Sequence, residues 1–125
     1  FVGLGQMGWH MASRLQSKFP TVLVRSGSEQ KAASHAAAFG TQQLHAWSQL
    51  KEVDFLVTCL PTSSEVSDVL GEAAPHLRKG AVVIDCTSGD PDVTLSLGET
   101  LRKQGVALVD APLSGGPRGA EAGKL

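Results

Sequence analysis

The chain has 125 residues, 42% hydrophobic and 18% charged, which suits one soluble globular domain and excludes a disordered tract or a coiled coil. Eleven basic and twelve acidic side chains leave a net charge of -1. With no run of five like charges, nucleic acid and membrane surfaces are not the expected partners.

Phe1-Val2 reads as the end of an apolar strand that runs into the glycine-rich stretch Gly3-Leu4-Gly5-Gln6-Met7-Gly8. Met7, Met11 and Leu15 follow at i, i+4 and i+8, the spacing of one helical face. Thr21-Val22-Leu23-Val24 is apolar and β-branched, as a strand buried on both sides should be, and Ser26-Gly27-Ser28 punctuates it. The alanine-rich residues 29–39 predict a helix closed by Gly40. Residues 41–44 predict a short strand and residues 46–52 a short helix. Residues 54–60 form a strand ended by Pro61, after which Ser63 or Ser64 is placed to cap a helix carrying Val66, Val69 and Leu70. Residues 81–85 make a further apolar strand, and Pro91 opens a helix with Val93, Leu97 and Leu101 on one face. Residues 106–110 are the last strand. The remainder, residues 111–125, holds four glycines and two prolines and shows no helical period.

Strands alternating with helices predict right-handed crossovers and a parallel sheet, hence a doubly wound α/β domain of the Rossmann type over residues 1–125. The first strand is expected between the second and the fourth. No apolar stretch approaches the roughly 20 residues that cross a bilayer. Cys59 and Cys86 lie outside any metal-binding or framework spacing and are expected as buried thiols in a reducing compartment. Because the chain begins with Phe1 and runs straight into the glycine stretch, it reads as a piece truncated at both ends. The cytoplasm is the expected location and the mitochondrion the alternative. A sheet rim left uncovered by truncation predicts poor stability for these residues alone.

A bare GxGxxG is a weak signal; its place between a strand end and a helix, with a second strand ending about 20 residues on, makes it a dinucleotide phosphate loop. Each glycine has its own reason. Gly3 permits the tight turn, Gly5 lets backbone approach a pyrophosphate, and Gly8 lets the helix pack on the strand. The N–H groups around Gln6 and Met7, at the positive end of the helix dipole, then hold the anion. After the second strand stands Val24-Arg25-Ser26, where an NAD-selective site carries an acid. Arg25 is suited to pairing with a 2'-phosphate, with Ser26 and Ser28 adding donors, so the expected cofactor is NADP, with NAD the alternative. The four histidines are expected as solvated helix or loop residues, and Asp85 and Asp110 as carboxylates that orient turns. No residue of this chain is expected to be catalytic, and no metal site is expected.

Taken together, residues 3–8 with Met11-Ala12 and Leu15, Leu60-Pro61, Asp85-Cys86-Thr87-Ser88 with Pro91, and Asp110-Ala111-Pro112-Leu113-Ser114-Gly115-Gly116 resemble the β-hydroxyacid dehydrogenase family, typified by 3-hydroxyisobutyrate dehydrogenase and the glyoxylate/succinic semialdehyde reductases. The related 6-phosphogluconate dehydrogenases share the serine-glycine-glycine turn with a different glycine loop and rank lower. The resemblance implies an NADP(H)-dependent hydride transfer on a small β-hydroxyacid or its aldehyde or ketoacid. It implies that Leu60, Pro61 and Ser88 border the nicotinamide, and that Ser114, Gly115 and Gly116 receive the substrate carboxylate, as a hydroxyl with consecutive N–H groups can. It further implies a catalytic lysine and an all-helical second domain, through which the protein pairs as a homo-oligomer, both beyond Leu125. Lys124 is not that lysine. The alternative is a non-catalytic NADP-binding scaffold of the same fold.

Overall fold

The computed structural model describes Phe1–Leu125, which divide into two compact units: Phe1–His45 with Leu113–Leu125, and Ala46–Pro112.

In the first unit the leading strand is registered at Val2, which pairs in parallel with Arg25. β1 (Leu23–Val24) pairs in parallel with β2 (Gln42–Gln43). The leading strand thus lies beside its successor, as dinucleotide folds require on that side. β1 is shorter than its apolar run suggested and is not buried on both sides: Val22 and Val24 are buried, whereas Leu23 is half-buried and Thr21 exposed. α1 (Gly8–Gln16) starts one residue later than the methionine spacing implies, with Met7 at its N-cap. Its buried positions are Gly8 and Ala12, small residues that allow close packing, while Met7, Met11 and Leu15 are only half-buried. α2 (Glu29–Phe39) begins at Ser28, whose Oγ accepts from Lys31 N–H, and ends at Gly40 in the left-handed region (φ 75°), where a Cβ is strained. This helix packs on β1, β2 and α1.

The same unit holds an element that the sequence pattern did not reveal. Residues 111–125 are not wholly irregular; α5 (Gly116–Ala122) lies within them and packs on α1. The helix is too short to show an amphipathic period. Left-handed glycines bound it, Gly115 at φ 113° and Gly123 at φ 67°, and Ala120 is its one buried residue.

The second unit is a parallel sheet in the order β3 (Phe55–Thr58), β4 (Val82–Asp85), β5 (Ala107–Asp110). Each connection between neighbours passes through a helix, α3 (Ser63–Ala73) and then α4 (Pro91–Lys103). The short helix foreseen before β3 is a 3-10 turn, Trp47–Glu52. α3 is capped by neither Ser63 nor Ser64 but by Thr62, whose Oγ1 accepts from Glu65 N–H and donates to the Glu65 carboxylate. The threonine wins because it is the residue still in extended conformation, the geometry an N-cap needs. α4 combines a capping Asp90, Pro91 in its first turn, and Arg102 and Lys103 at its negative end. Leu56, Val66, Leu70, Val83, Leu101 and Val106 fill the core of this unit, while β5 is largely exposed along its edge.

Candidate dinucleotide-binding site

The three glycines of residues 3–8 have different structural duties. Gly3 sits at φ 103°, and its N–H donates to the Arg25 carbonyl at 3.0 Å, so the turn is tied to the end of β1. A Cβ on Gly8 falls 1.8 Å from the Gly3 carbonyl oxygen and 3.0 Å from the Phe1 ring. No side chain fits there, because the obstruction is backbone and cannot rotate away. A Cβ on Gly5, by contrast, meets nothing within 4 Å. Gly5 and Gln6 are exposed, and the N–H groups of Gly5, Gln6 and Met7 take no bond within the fold. No acidic side chain stands in the first turn of α1. The loop therefore presents unpaired donors at a helix N-terminus beside an approachable backbone, the arrangement that suits a diphosphate.

Arg25 is held by both its backbone and its side chain. Its N–H donates to the Phe1 carbonyl at 2.9 Å, and Nη1 donates to the carbonyls of Leu44 and His45, each at 3.2 Å. The guanidinium is thereby fixed where the first three strands end. Ser26 Oγ accepts from Ser28 N–H at 3.4 Å, while Ser28 Oγ is engaged as the α2 cap.

In the second unit, Leu60, Pro61 and Ser88 lie on loops that leave β3 and β4. A buried relay joins these loops. Asp85 Oδ1 accepts from Thr58 Oγ1 at 2.8 Å and from Thr87 N–H at 3.0 Å, and Thr87 Oγ1 accepts from Leu60 N–H at 3.1 Å. Asp85 orients the turn, as its place at a strand end suggested; Asp110, its partner in register, is exposed. Thr87, buried next to the exposed Ser88, is the hydroxyl that ties the loops together, a role its sequence position did not single out. Ser63 Oγ accepts from Asp90 N–H at 2.7 Å and fills the space where a Cβ on Gly89 would stand.

Ser114 is exposed at the approach to α5, followed by Gly115 and Gly116, both at positive φ. Arg14 of α1 donates through Nε to the Ala120 carbonyl at 3.3 Å and through Nη2 to the Glu121 carbonyl, so the glycine-loop helix supports the helix that follows this turn. Lys124 is exposed; its backbone N–H closes the end of α5 on the Gly119 carbonyl.

One histidine departs from its expected place. His35 is not solvated but fully buried. Its ring lies edge-on to Trp9 and tilted against Phe39, each 4.8 Å away between centroids. Nε2 is 3.0 Å from the Trp9 carbonyl, which can only accept, so Nε2 carries the proton and Nδ1 accepts from Thr41 Oγ1 at 2.8 Å. The apolar surroundings hold its pKa below the ordinary histidine value, and the bond to Trp9 offsets this in part. Its helical position alone does not separate an inward from an outward ring.

The family model described as the NAD binding domain of 6-phosphogluconate dehydrogenase matches residues 1–125. The chain belongs to this NAD-binding family. All of the chain aligns with 2-(hydroxymethyl)glutarate dehydrogenase of Eubacterium barkeri, at 34% identity over 132 residues, but spans only 42% of that protein. Among solved structures, Mycobacterium tuberculosis 3-hydroxyisobutyrate dehydrogenase with L-serine superposes with a TM-score of 0.89 at 29% identity, over 98% of this chain and 42% of that one. Psf3 in complex with NADP+ and 2-OPP superposes with a TM-score of 0.87 at 28% identity, over 98% and 45% of the two chains. The Rossmann-type α/β fold and the likeness to hydroxyacid dehydrogenases expected from the sequence both stand. No helix is long and apolar enough to cross a membrane.

Proposed function

We propose that residues 1–125 are the NAD(P)-binding domain of an oxidoreductase that transfers a hydride between NADP(H) and a small β-hydroxyacid or its aldehyde or ketoacid. The glycine turn carries this reading: a Cβ at Gly8 is blocked by backbone at 1.8 Å, while Gly5 stands in open space beside unpaired N–H groups. Such a division of labour answers the needs of a bound pyrophosphate. When bound, the nicotinamide ring supplies or accepts the hydride. Within this chain the work is binding and orientation. Gly3, Leu4, Gly5, Gln6, Met7 and Gly8 hold the diphosphate, Arg25 and Ser26 face the 2'-phosphate, and Leu60, Pro61 and Ser88 border the nicotinamide. Ser114, Gly115 and Gly116 take the carboxylate, with a helical domain and a lysine acid/base supplied by sequence after Leu125. That helical domain also gives the homo-oligomer its interface. The protein works in the cytoplasm or, as the Drosophila melanogaster and mouse relatives do by name, in the mitochondrion.

Titrating the full-length protein with NADPH and NADH, followed by nicotinamide fluorescence, tests the cofactor. NADPH is expected to bind at least ~10-fold more tightly, a difference of about 1.4 kcal/mol. Arg25→Asp should weaken NADPH while sparing NADH. Equal loss of both would reduce Arg25 to its bonds with Leu44 and His45, and no binding of either would end the reading. A screen of small hydroxyacids and semialdehydes for NADPH turnover then tests the substrate class; binding without any turnover points to the scaffold alternative.

A further inference from the structure

We propose that Cys59 and Cys86 are the two halves of a reversible intrachain disulfide, formed under oxidative conditions across the ends of β3 and β4. The two strands run in parallel register up to Thr58 opposite Asp85, a pair closed by Cys86 N–H donating to the Thr58 carbonyl at 2.8 Å. Cys59 and Cys86 are the residues that follow this last registered pair. Neighbouring strands lie about 4.8 Å apart. That falls inside the ~4.4–6.8 Å separation of Cα atoms that a disulfide spans. Side chains alternate along a strand, and those of Thr58 and Asp85 meet on one face with a 2.8 Å hydrogen bond. The two thiols consequently share the opposite face. Burial pushes the pKa of the Cys86 thiol up to about 11, with smaller contributions in the same direction from Cys59 and Asp85.

Each cysteine is the first residue after its strand. Access differs between them. Cys59 is half-exposed and Cys86 buried, so an oxidant reaches Cys59 first. With hydrogen peroxide, the Cys59 thiolate attacks one peroxide oxygen and the O–O bond breaks. The departing hydroxide takes up a proton, leaving sulfenic acid on Cys59. Cys86 sulfur then attacks the Cys59 sulfur, the S–O bond breaks, and the hydroxyl leaves with the Cys86 proton as water. In total two thiols and one peroxide give one disulfide and two waters. The product encloses α3 and locks together the loops that Thr87 Oγ1 and Leu60 N–H already join.

The test oxidises the full-length protein with hydrogen peroxide or diamide, alkylates it with iodoacetamide under denaturing conditions, and maps the peptides. Expected are loss of both carbamidomethyl adducts, a mass lower by two hydrogens, a monomer on a non-reducing gel, a linked Cys59–Cys86 peptide, and full reversal by dithiothreitol. Retention of both adducts, or their loss only to oxygen addition or intermolecular dimers, would overturn the proposal. Dimedone gives a second readout: Cys86→Ser should accumulate the Cys59 sulfenic acid adduct several-fold above the wild-type protein. Equal labelling of the two would show that Cys86 does not resolve the sulfenic acid.

Discussion

Asp85 shows how one carboxylate can carry a local structure. Its Oδ1 receives the Thr58 hydroxyl, fully buried, and the Thr87 N–H, so Asp85→Ala strands two donors away from water. Each stranded donor costs roughly 1–3 kcal/mol. D85N retains a carbonyl oxygen in the same place and is expected to lose distinctly less, a contrast that urea unfolding of the pair resolves. His35 predicts a pH dependence. Its folded pKa lies below the ordinary value, so as pH falls the unfolded chain takes up the proton first. The stability it supports is complete above about pH 6.5 and declines as pH drops below that value toward the folded pKa. His35→Gln should flatten this part of the curve of stability against pH. If wild type and variant keep the same slope between pH 7.5 and 5.5, the ring is not held neutral by its pocket. At Gly8 the obstruction is backbone, so Gly8→Ala is expected to abolish NADPH binding in a fluorescence titration, whereas Gly5→Ala meets no protein atom and would act only through the ligand.

For the elements, legibility follows from how much of the signal is local. α2 and α4 announce themselves because Gly40 at the end of one and Pro91 at the start of the other act within one turn of the chain, where the structure adds Ser28 and Asp90 as N-caps. α3 was legible as a helix but not in its cap, since Thr62, Ser63 and Ser64 all carry a hydroxyl and only backbone conformation separates them. Thr62→Ala should cost about 1 kcal/mol of stability, and Ser64→Ala close to nothing, in paired thermal melts. α5 was not legible. Its support comes from Arg14, more than a hundred residues earlier in the chain, whose guanidinium takes the Ala120 and Glu121 carbonyls. Arg14→Ala is expected to raise hydrogen exchange across residues 116–122 while leaving α4 unchanged.

At the scale of the whole molecule, burial separates strands that look alike in sequence. Leu56 in β3 is fully buried, and Leu56→Ala should cost roughly 2–5 kcal/mol. Val109 in β5 is 46% exposed, and Val109→Ala should stay within about 0.5 kcal/mol. Denaturant midpoints of the two variants give the comparison. Both residues belong to apolar runs, and nothing in the runs themselves tells a packed strand from an edge. The sequence by itself determined the order of strands and helices as far as β5, the parallel pairing and the glycine loop, because periodicity, caps and the steric needs of glycine are written within a few residues. It also determined the family, through short motifs spread along the chain. Only the tertiary structure decided that His35 faces inward, that Thr87 rather than Ser88 joins two loops, that Arg14 holds α5, and that Cys59 and Cys86 both follow the registered pair Thr58 and Asp85. Each of those depends on which distant residue arrives alongside, and a hydrogen bond or a thiol pair exists only once the fold has brought both partners within reach.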